Sequence, residues 1–223
     1  MKKCLLLFAV VGLVMVSAPA YSQYVFLDTN GDGFNSVNPY TPYPHLDDVL
    51  SPPVRSVDVY FVTNANPNGS PATCIWSPNP FDINSYEIIL HSSGTGSVTY
   101  GAWHDNMAFP TPSIRCGNFT QCPTPGTPGS DIWIGLFALP YQPAGKYKVG
   151  TLDITVTGVP KLDFASSTSL DSLAATQFGS TCRGQLDNNT ITLGLDFTAN
   201  YGTSAPVPVI STTWGKIKNF YRQ

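Results

Sequence analysis

Charged side chains are scarce in this chain. Asp, Glu, Lys and Arg make up only 11% of its 223 residues, and Glu87 is the only glutamate. A typical globular domain has about a quarter of its residues charged. Few strong helix formers remain, so the composition argues against a helical protein. The formal net charge is −3 and no basic stripe occurs, which argues against nucleic acid as a partner.

The chain also lacks the residue patterns of common hydrolases. No Gly-x-Ser-x-Gly sequence occurs, and the three histidines are scattered. Glycosidases need two carboxylates placed across the scissile bond, and the aspartates here fall mostly in turn-like segments. We therefore predict no catalytic residues and no enzymatic activity.

Only the N-terminus carries a long apolar run, and it has the form of a signal peptide. Lys2 and Lys3 precede the apolar residues 5–16, and residues 17–20 supply small side chains for a cleavage site. The run is too short to cross ~30 Å of hydrocarbon, although an uncleaved anchor is the alternative. We predict that residues 1–20 are cleaved, leaving a secreted or cell-surface bacterial protein without a membrane span.

Four cysteines follow the predicted cleavage site. An even number in an exported chain predicts two disulfides, with three pairings open. Cys116 and Cys122 flank a short polar loop, so we prefer Cys116–Cys122 together with Cys74–Cys182. Zinc binding is the alternative, but no Cys-x-x-Cys or His-rich spacing supports it.

Short segments with period-two alternation fill the rest of the chain. Val57, Val59 and Phe61 share one face, with Asp58 and Tyr60 on the other. Similar patterns predict about eight strands, at 24–27, 57–61, 86–91, 97–103, 131–137, 147–157, 162–164 and 191–197. Residues 92–96 predict a hairpin turn. Without crossover helices, this pattern predicts an all-β fold: a two-sheet antiparallel β-sandwich or jelly roll.

The chain divides into four predicted parts. Residues 1–20 are the signal peptide, 21–53 an N-terminal strand and loop segment, 54–203 the sandwich, and 204–223 a Pro-rich linker with a short helical tail. In that tail Trp214, Ile217 and Tyr221 fall on one helical face. Two hypotheses stay open: the helix folds back on the sandwich, or it is an exposed docking tail.

Residues 28–33 carry the motif with the most definite chemistry. Asp28, Asn30 and Asp32 place oxygen ligands at alternate positions, and the following glycine permits a sharp turn, as in calcium loops. Phe34 would add its backbone carbonyl, and Ser36 would hold a water. We predict a structural Ca²⁺ that fixes the N-terminal strand to the sandwich.

The closing ligand of this loop does not stand at its usual position. Pro39 stands where calcium loops carry a carboxylate, so Asp47 or Asp48 would have to supply it from further along the chain. The segment resembles the calcium loop of dockerins in its first half, without a second copy or flanking helix. A metal-free turn stabilised by Asn and Asp side chains is the alternative.

About two thirds of the chain resembles the cohesin and carbohydrate-binding group of β-sandwiches. Residues 84–90 and 144–158 carry this likeness, the second as a Gly-x-x-x-Ile/Leu strand that would cross the middle of a jelly roll. The chain is also similar to secreted surface proteins of uncharacterised bacteria, which share residues 24–33 and end as residues 213–222 do. That second likeness implies no known activity.

These features predict a structural, adhesive or assembly module rather than an enzyme. Its partner would be another protein or a second copy at the cell surface. The alternative is a carbohydrate-binding module whose aromatic side chains stack on a polysaccharide. The candidate ligand-binding residues for that function are Trp76, Trp103 and Trp133.

Overall fold

The computed structural model describes residues 23–40, 48–74, 81–106, 114–115, 131–136, 140–167, 174–182, 190–197 and 200–204. The predicted signal peptide and the residues 204–223 tail beyond Ser204 lie outside these ranges. Within the described ranges no helix is long and apolar enough to cross a membrane. The strands there are β1 (Tyr24–Asp28), β2 (Ser56–Val62), β3 (Ser85–Asp105), β4 (Ile114–Arg115), β5 (Asp131–Leu136), β6 (Lys146–Phe164), β7 (Gln177–Gly179), β8 (Thr190–Thr192) and β9 (Asn200–Tyr201).

The strands form one mixed sheet in the order β4-β5-β3-β6-β2-β1-β9, with β7 pairing with β3 and β8. The predicted all-β class is confirmed. The expectation of purely antiparallel pairing is wrong, because β1 and β9 run parallel. Beyond β9, the N–H of Thr203 donates to the carbonyl of Leu162 on β6 at 2.9 Å, so the sheet curls back on itself at this edge.

The alternation in β1 and β2 separates a core face from an outward face. Val25 and Leu27 are fully buried in the main hydrophobic cluster, as is Val59 across the ladder. Tyr24 and Phe26 point the other way, because successive side chains of a strand face opposite sides of the sheet. Strands β1 and β2 pair along their whole shared length, from Tyr24 opposite Val62 to Asp28 opposite Asp58. The N-terminal strand is therefore part of the main sheet.

Strand β3 is continuous through residues 92–96, so the predicted hairpin turn there is wrong. It pairs with β6 from Leu90 opposite Phe164 to Asp105 opposite Gly150. Gly96 lies opposite Gly158, and both have positive φ, 132° and 69°. A Cβ on Gly96 would lie 2.0 Å from the carbonyl oxygen of Thr157. The glycines thus permit a close approach of two long strands instead of reversing the chain.

The alternating segment at 191–197 is only partly a strand. Strand β8 ends at Thr192, Gly194 has φ of 90°, and a side-chain oxygen of Asp196 accepts the N–H of Thr192 at 2.9 Å. Leu195 is 76% exposed as a result. A local turn therefore replaces the predicted end of the strand.

The Cys74–Cys182 disulfide joins two loops that flank the core, and its Cα atoms are 5.7 Å apart. This pairing is confirmed. Cys182 is completely buried, and Cys74 packs against the same core from a less buried position. Cys116 and Cys122 lie outside the described residues, so their pairing stays a prediction.

Candidate calcium site

Asp28 organises the loop that follows β1. Its Oδ1 accepts the backbone N–H groups of Asn30 (3.0 Å) and Gly31 (2.7 Å), and its Oδ2 accepts that of Gly33 (2.7 Å). The carboxylate is 1% exposed. Three hydrogen bonds to a charged acceptor, each worth about 1.5–3 kcal/mol, compensate for removing it from water. Gly31 and Gly33 both have positive φ, near 80°, which lets the chain wrap tightly around this carboxylate.

Asn30 and Asp32 continue the same pattern along the loop. The amide oxygen of Asn30 accepts the N–H of Asp32 at 2.9 Å, and a carboxylate oxygen of Asp32 accepts the N–H of Phe34 at 2.8 Å. Each side chain therefore closes a small turn two residues ahead. Hydrogen bonds within the loop therefore fix the conformation of the predicted ligand residues Asn30 and Asp32.

Asp48 is brought into this loop from the far side. Its Oδ1 accepts the N–H of Thr29 at 2.9 Å and faces the side-chain amide of Asn30 at 3.4 Å, while its Oδ2 accepts the N–H of Ser36 at 2.9 Å. The hydroxyl of Ser36 accepts the N–H of Asp48 in return, also at 2.9 Å. Within the described ranges Asp48 therefore reaches the Asp28 loop, and Asp47 lies outside those ranges.

The electrostatics of Asp48 reflect a crowded anionic loop. Burial raises the pKa of this carboxyl from 3.8 to about 6, and the N–H groups of Thr29 and Ser36 act against that rise. The negative charges of Asp28 and Asp32 raise the pKa of Asp48 further. A cation bound in the loop would favour the ionised form of Asp48.

Lys146, at the start of β6, supplies a positive charge beside the loop. Its Nζ donates to the carbonyl of Gly33 and lies 4.3 Å from the ring centroid of Phe34. Partial burial lowers the pKa of Lys146, and the charges of Asp28 and Asp32 oppose that change. The ammonium therefore partly balances the anionic loop and ties it to the sheet.

The loop offers oxygen donors of the kind that calcium prefers. Among the described residues, no three His, Cys, Asp or Glu side chains are grouped closely enough to hold a metal by themselves. A calcium ion here would therefore need the amide of Asn30 and backbone carbonyls such as that of Phe34 beside the carboxylates. The buried Asp28 and Asp48 carboxylates and the adjacent Asp32 fit such a mixed oxygen set in chemistry.

The loop is also attached to the end of β9 through Asn35, a residue that the motif did not single out. Its side-chain N–H groups donate to the carbonyls of Leu27 (2.5 Å) and Gly202 (2.9 Å). Its side-chain oxygen accepts the N–H of Val37 at 2.9 Å. Asn35 is 2% exposed, so this amide is a buried link between β1, the loop and the β9 end. No local pattern in the sequence signals such a link.

Two of the three tryptophans proposed as ligand-binding residues, Trp103 and Trp133, lie in the described part of the chain. Trp133 is 4% exposed and packs in a small cluster with Ile89 and Ala174, so its ring has no open face. Trp103 is partly buried against the main core, and its indole N–H donates to Asp105 at 2.9 Å. Trp76 lies outside the described residues, as do Trp214, Ile217 and Tyr221.

No protein-family model, curated protein or solved structure matches this chain. The resemblances to cohesins, to the dockerin loop and to bacterial surface proteins therefore stay predictions.

Proposed function

We propose that this protein is a secreted or cell-surface, calcium-stabilised β-sandwich that serves as a structural, adhesive or assembly module. The observation that carries the proposal is the meeting of Asp28 and Asp48 in one buried loop, with Asp32 beside them. Buried like charges are costly unless a cation or hydrogen bonds compensate for them. Millimolar extracellular calcium is sufficient to fill sites of modest affinity.

Calcium in this loop would stabilise the fold by linking segments that are distant in the sequence. Asp28 is the last residue of β1. The backbone carbonyl of Asp48 accepts the N–H of Ser204 at 2.7 Å, and the side chain of Asn35 joins the loop to Gly202. An ion that links Asp28 and Asp48 would therefore hold the N-terminal strand and the β9 end together. In the proposed sandwich, the long strand β3 belongs to both sheets. Its first part pairs with β5 and β7, and its later part pairs with β6.

The surface beside the loop supports a role in attachment. Phe34, Val37 and Tyr40 are 37%, 44% and 59% exposed, which places three large apolar side chains on one short segment. Exposed apolar clusters commonly mark interaction sites. The Cys74–Cys182 disulfide also suits an exported domain.

The test compares unfolding and size with and without calcium. We expect about 10 mM calcium to stabilise the purified protein by roughly 1–3 kcal/mol relative to EGTA. Asp32→Asn keeps the acceptor for the Phe34 N–H but removes one charge, so it should lose most of that gain. Asp105→Asn is the matched control, because Asp105 accepts a hydrogen bond from Trp103 away from the loop.

Light scattering supplies the second measurement. Calcium-dependent self-association, or capture of a surface protein that Asp32→Asn weakens, would support an assembly role. A strictly monomeric protein whose unfolding is indifferent to calcium would contradict the proposal.

A further inference from the structure

The outward face of β1 and β2 carries a buried aromatic ring that does not belong to the core. Phe26 is only 2% exposed, yet it is absent from both core clusters of the described residues. Its ring stacks on that of Tyr60, with centroids 4.6 Å apart and planes within 1°. Polar side chains are common on the solvent face of such a sheet, but here the rings of Tyr24 and Tyr60 lie against Phe26 together with the ammonium of Lys146.

Phe26 forms the base of a row of rings that crosses three strands. Tyr24 stacks on Phe26 at 6.0 Å, and Tyr201 from β9 meets Tyr24 edge to face at 5.9 Å. The Nζ of Lys146 lies 5.3 Å from the Phe26 centroid and 5.4 Å from that of Tyr60. We call Tyr24, Tyr40, Tyr60 and Tyr201 the tyrosine patch.

Tyr40 extends the patch beyond the sheet. Tyr40 follows the loop that Asn35 joins to β9, because the Asn35 side-chain amide reaches the carbonyls of Tyr201 at 3.5 Å and Gly202 at 2.9 Å. Burial raises the pKa of Tyr201, and the phenols of Tyr24 and Tyr40 raise it further. Tyr40 is 59% exposed, and the other three tyrosines are partly exposed. Each tyrosine of the patch therefore exposes part of its surface to solvent.

The hydroxyl groups of the patch have unused hydrogen-bonding capacity. In the part of the chain that the structure describes, no hydrogen bond is formed by the hydroxyls of Tyr24, Tyr60 or Tyr201. Burial raises the pKa of Tyr60 to about 12 and that of Tyr24 above its usual value. Neutral phenols can both donate and accept, so they suit a ligand rich in hydroxyl groups.

The charges next to the patch already have partners in the protein. Lys148, which lies opposite Tyr60 in the ladder, pairs with Asp58 at 2.6 Å. Lys146 bonds the Gly33 carbonyl and faces the Asp28 loop. This arrangement favours an uncharged ligand over an acidic or basic one.

We propose that the tyrosine patch binds neutral polysaccharide chains, with sugar C–H faces against the rings and sugar hydroxyls bonded to the phenols. Strand β1 is hydrogen-bonded to β2 on one side and β9 on the other, so the rings are held in place before binding. The proposed function names no ligand, and this site goes beyond it because none of its four tyrosines is a predicted calcium ligand.

Affinity electrophoresis tests the site directly. The protein is run in native gels that contain mixed-linkage β-glucan, galactomannan, arabinoxylan or dextran, with acidic alginate for comparison, in calcium and again in EGTA. We expect at least one neutral polymer to retard the protein. Tyr40→Ala and Tyr201→Ala should each weaken that binding by about three- to tenfold, as expected for loss of one aromatic contact.

The matched control is Tyr141→Ala, since Tyr141 is a 43% exposed tyrosine on the loop before β6. Tyr40 is a safe variant because its side chain is largely in solvent. The proposal is overturned if no neutral polymer retards the protein, if only alginate does, or if Tyr141→Ala weakens binding as much as Tyr40→Ala. Concentration-dependent dimers that Tyr40→Ala abolishes, without polymer binding, would instead assign the patch to a second copy of the chain.

Discussion

Asp28 and Asp48 hold the two sides of one loop through backbone hydrogen bonds to their carboxylates. Asp28 accepts N–H groups from Asn30, Gly31 and Gly33, whereas Asp48 accepts those of Thr29 and Ser36. Both side chains are almost completely buried, at 1% and 0% exposure. This pair links the N-terminal strand to a segment that lies about twenty residues further along the chain.

Asp48 should make stability depend on pH in the absence of calcium. Its pKa is about 6 in the folded chain against 3.8 otherwise, so the folded state binds more protons between these values. Stability in EGTA should therefore fall as the pH rises from about 4 to about 6. Urea unfolding of the wild type and Asp48→Asn across this range isolates the contribution, because the variant lacks the titrating group.

Bound calcium should reverse the pH dependence of stability that Asp48 causes. The ion requires the carboxylate in its ionised form, so the stability gained from calcium should shrink as the pH falls below about 6. Parallel pH profiles for the wild type and Asp48→Asn, in both EGTA and calcium, would count against a role for Asp48.

Lys146→Met should have opposite effects on the empty and the calcium-loaded loop. Loss of the bond to Gly33 and of the contact with Phe34 should cost about 1 kcal/mol in EGTA. Calcium affinity should rise several-fold, because a positive charge near Asp28 and Asp32 is removed. Calorimetric titration measures the affinity. Lys148→Met is the control, and an equal effect from it would show that the position of Lys146 is unimportant.

Removal of the Cys74–Cys182 disulfide should destabilise the protein by about 2–5 kcal/mol, as for native bridges in small exported domains. The bridge spans a sequence separation of 108 residues, so its loss would free much of the unfolded chain. Guanidinium unfolding of the Cys74→Ala/Cys182→Ala variant measures this change. An unchanged midpoint would mean that core packing alone maintains the fold.

Gly96→Ala tests the continuity of β3. The new Cβ would meet the carbonyl oxygen of Thr157 at a positive φ, so we expect a loss of more than about 2 kcal/mol. Gly69→Ala is the matched control, because Gly69 also has positive φ but has no atom within 4 Å of the new Cβ. It should cost about 1 kcal/mol from the backbone alone. Equal losses would argue against close packing of β3 on β6.

Local patterns predicted β1, β2 and β5 well because each has a strongly apolar inner face. Val57, Val59 and Phe61 alternate with polar neighbours, and that alternation becomes burial once a core forms. The same reasoning failed at residues 92–96, where Gly-rich sequence is typical of a turn. There the partner is Gly158, far along the chain, and only the β3–β6 ladder reveals why the glycines are needed.

The cluster of aromatic side chains on the outward face of β1 is not predictable from the sequence, for a related reason. Tyr24 and Phe26 show the same alternation as core residues, but a single strand does not indicate which neighbours its outer face will meet. The register of β1 with both β2 and β9 brings Tyr60 and Tyr201 beside them. The prediction of tryptophans as ligand-binding residues, in contrast, rests on side-chain type alone. In the structure Trp133 packs against Ile89 and Ala174.

The sequence by itself determined the all-β class, the order Asp28, Asn30, Asp32 in the loop and a preference for Cys74–Cys182 among three possible pairings. These follow from side-chain periodicity, turn chemistry and cysteine count, which can be read from the chain without its tertiary contacts. Only the tertiary structure decided that Asp48 accepts hydrogen bonds from the loop, that Lys146 lies beside it and that β9 joins β1 in parallel. Such contacts depend on strand register and sheet curvature, which arise only when distant segments pack together.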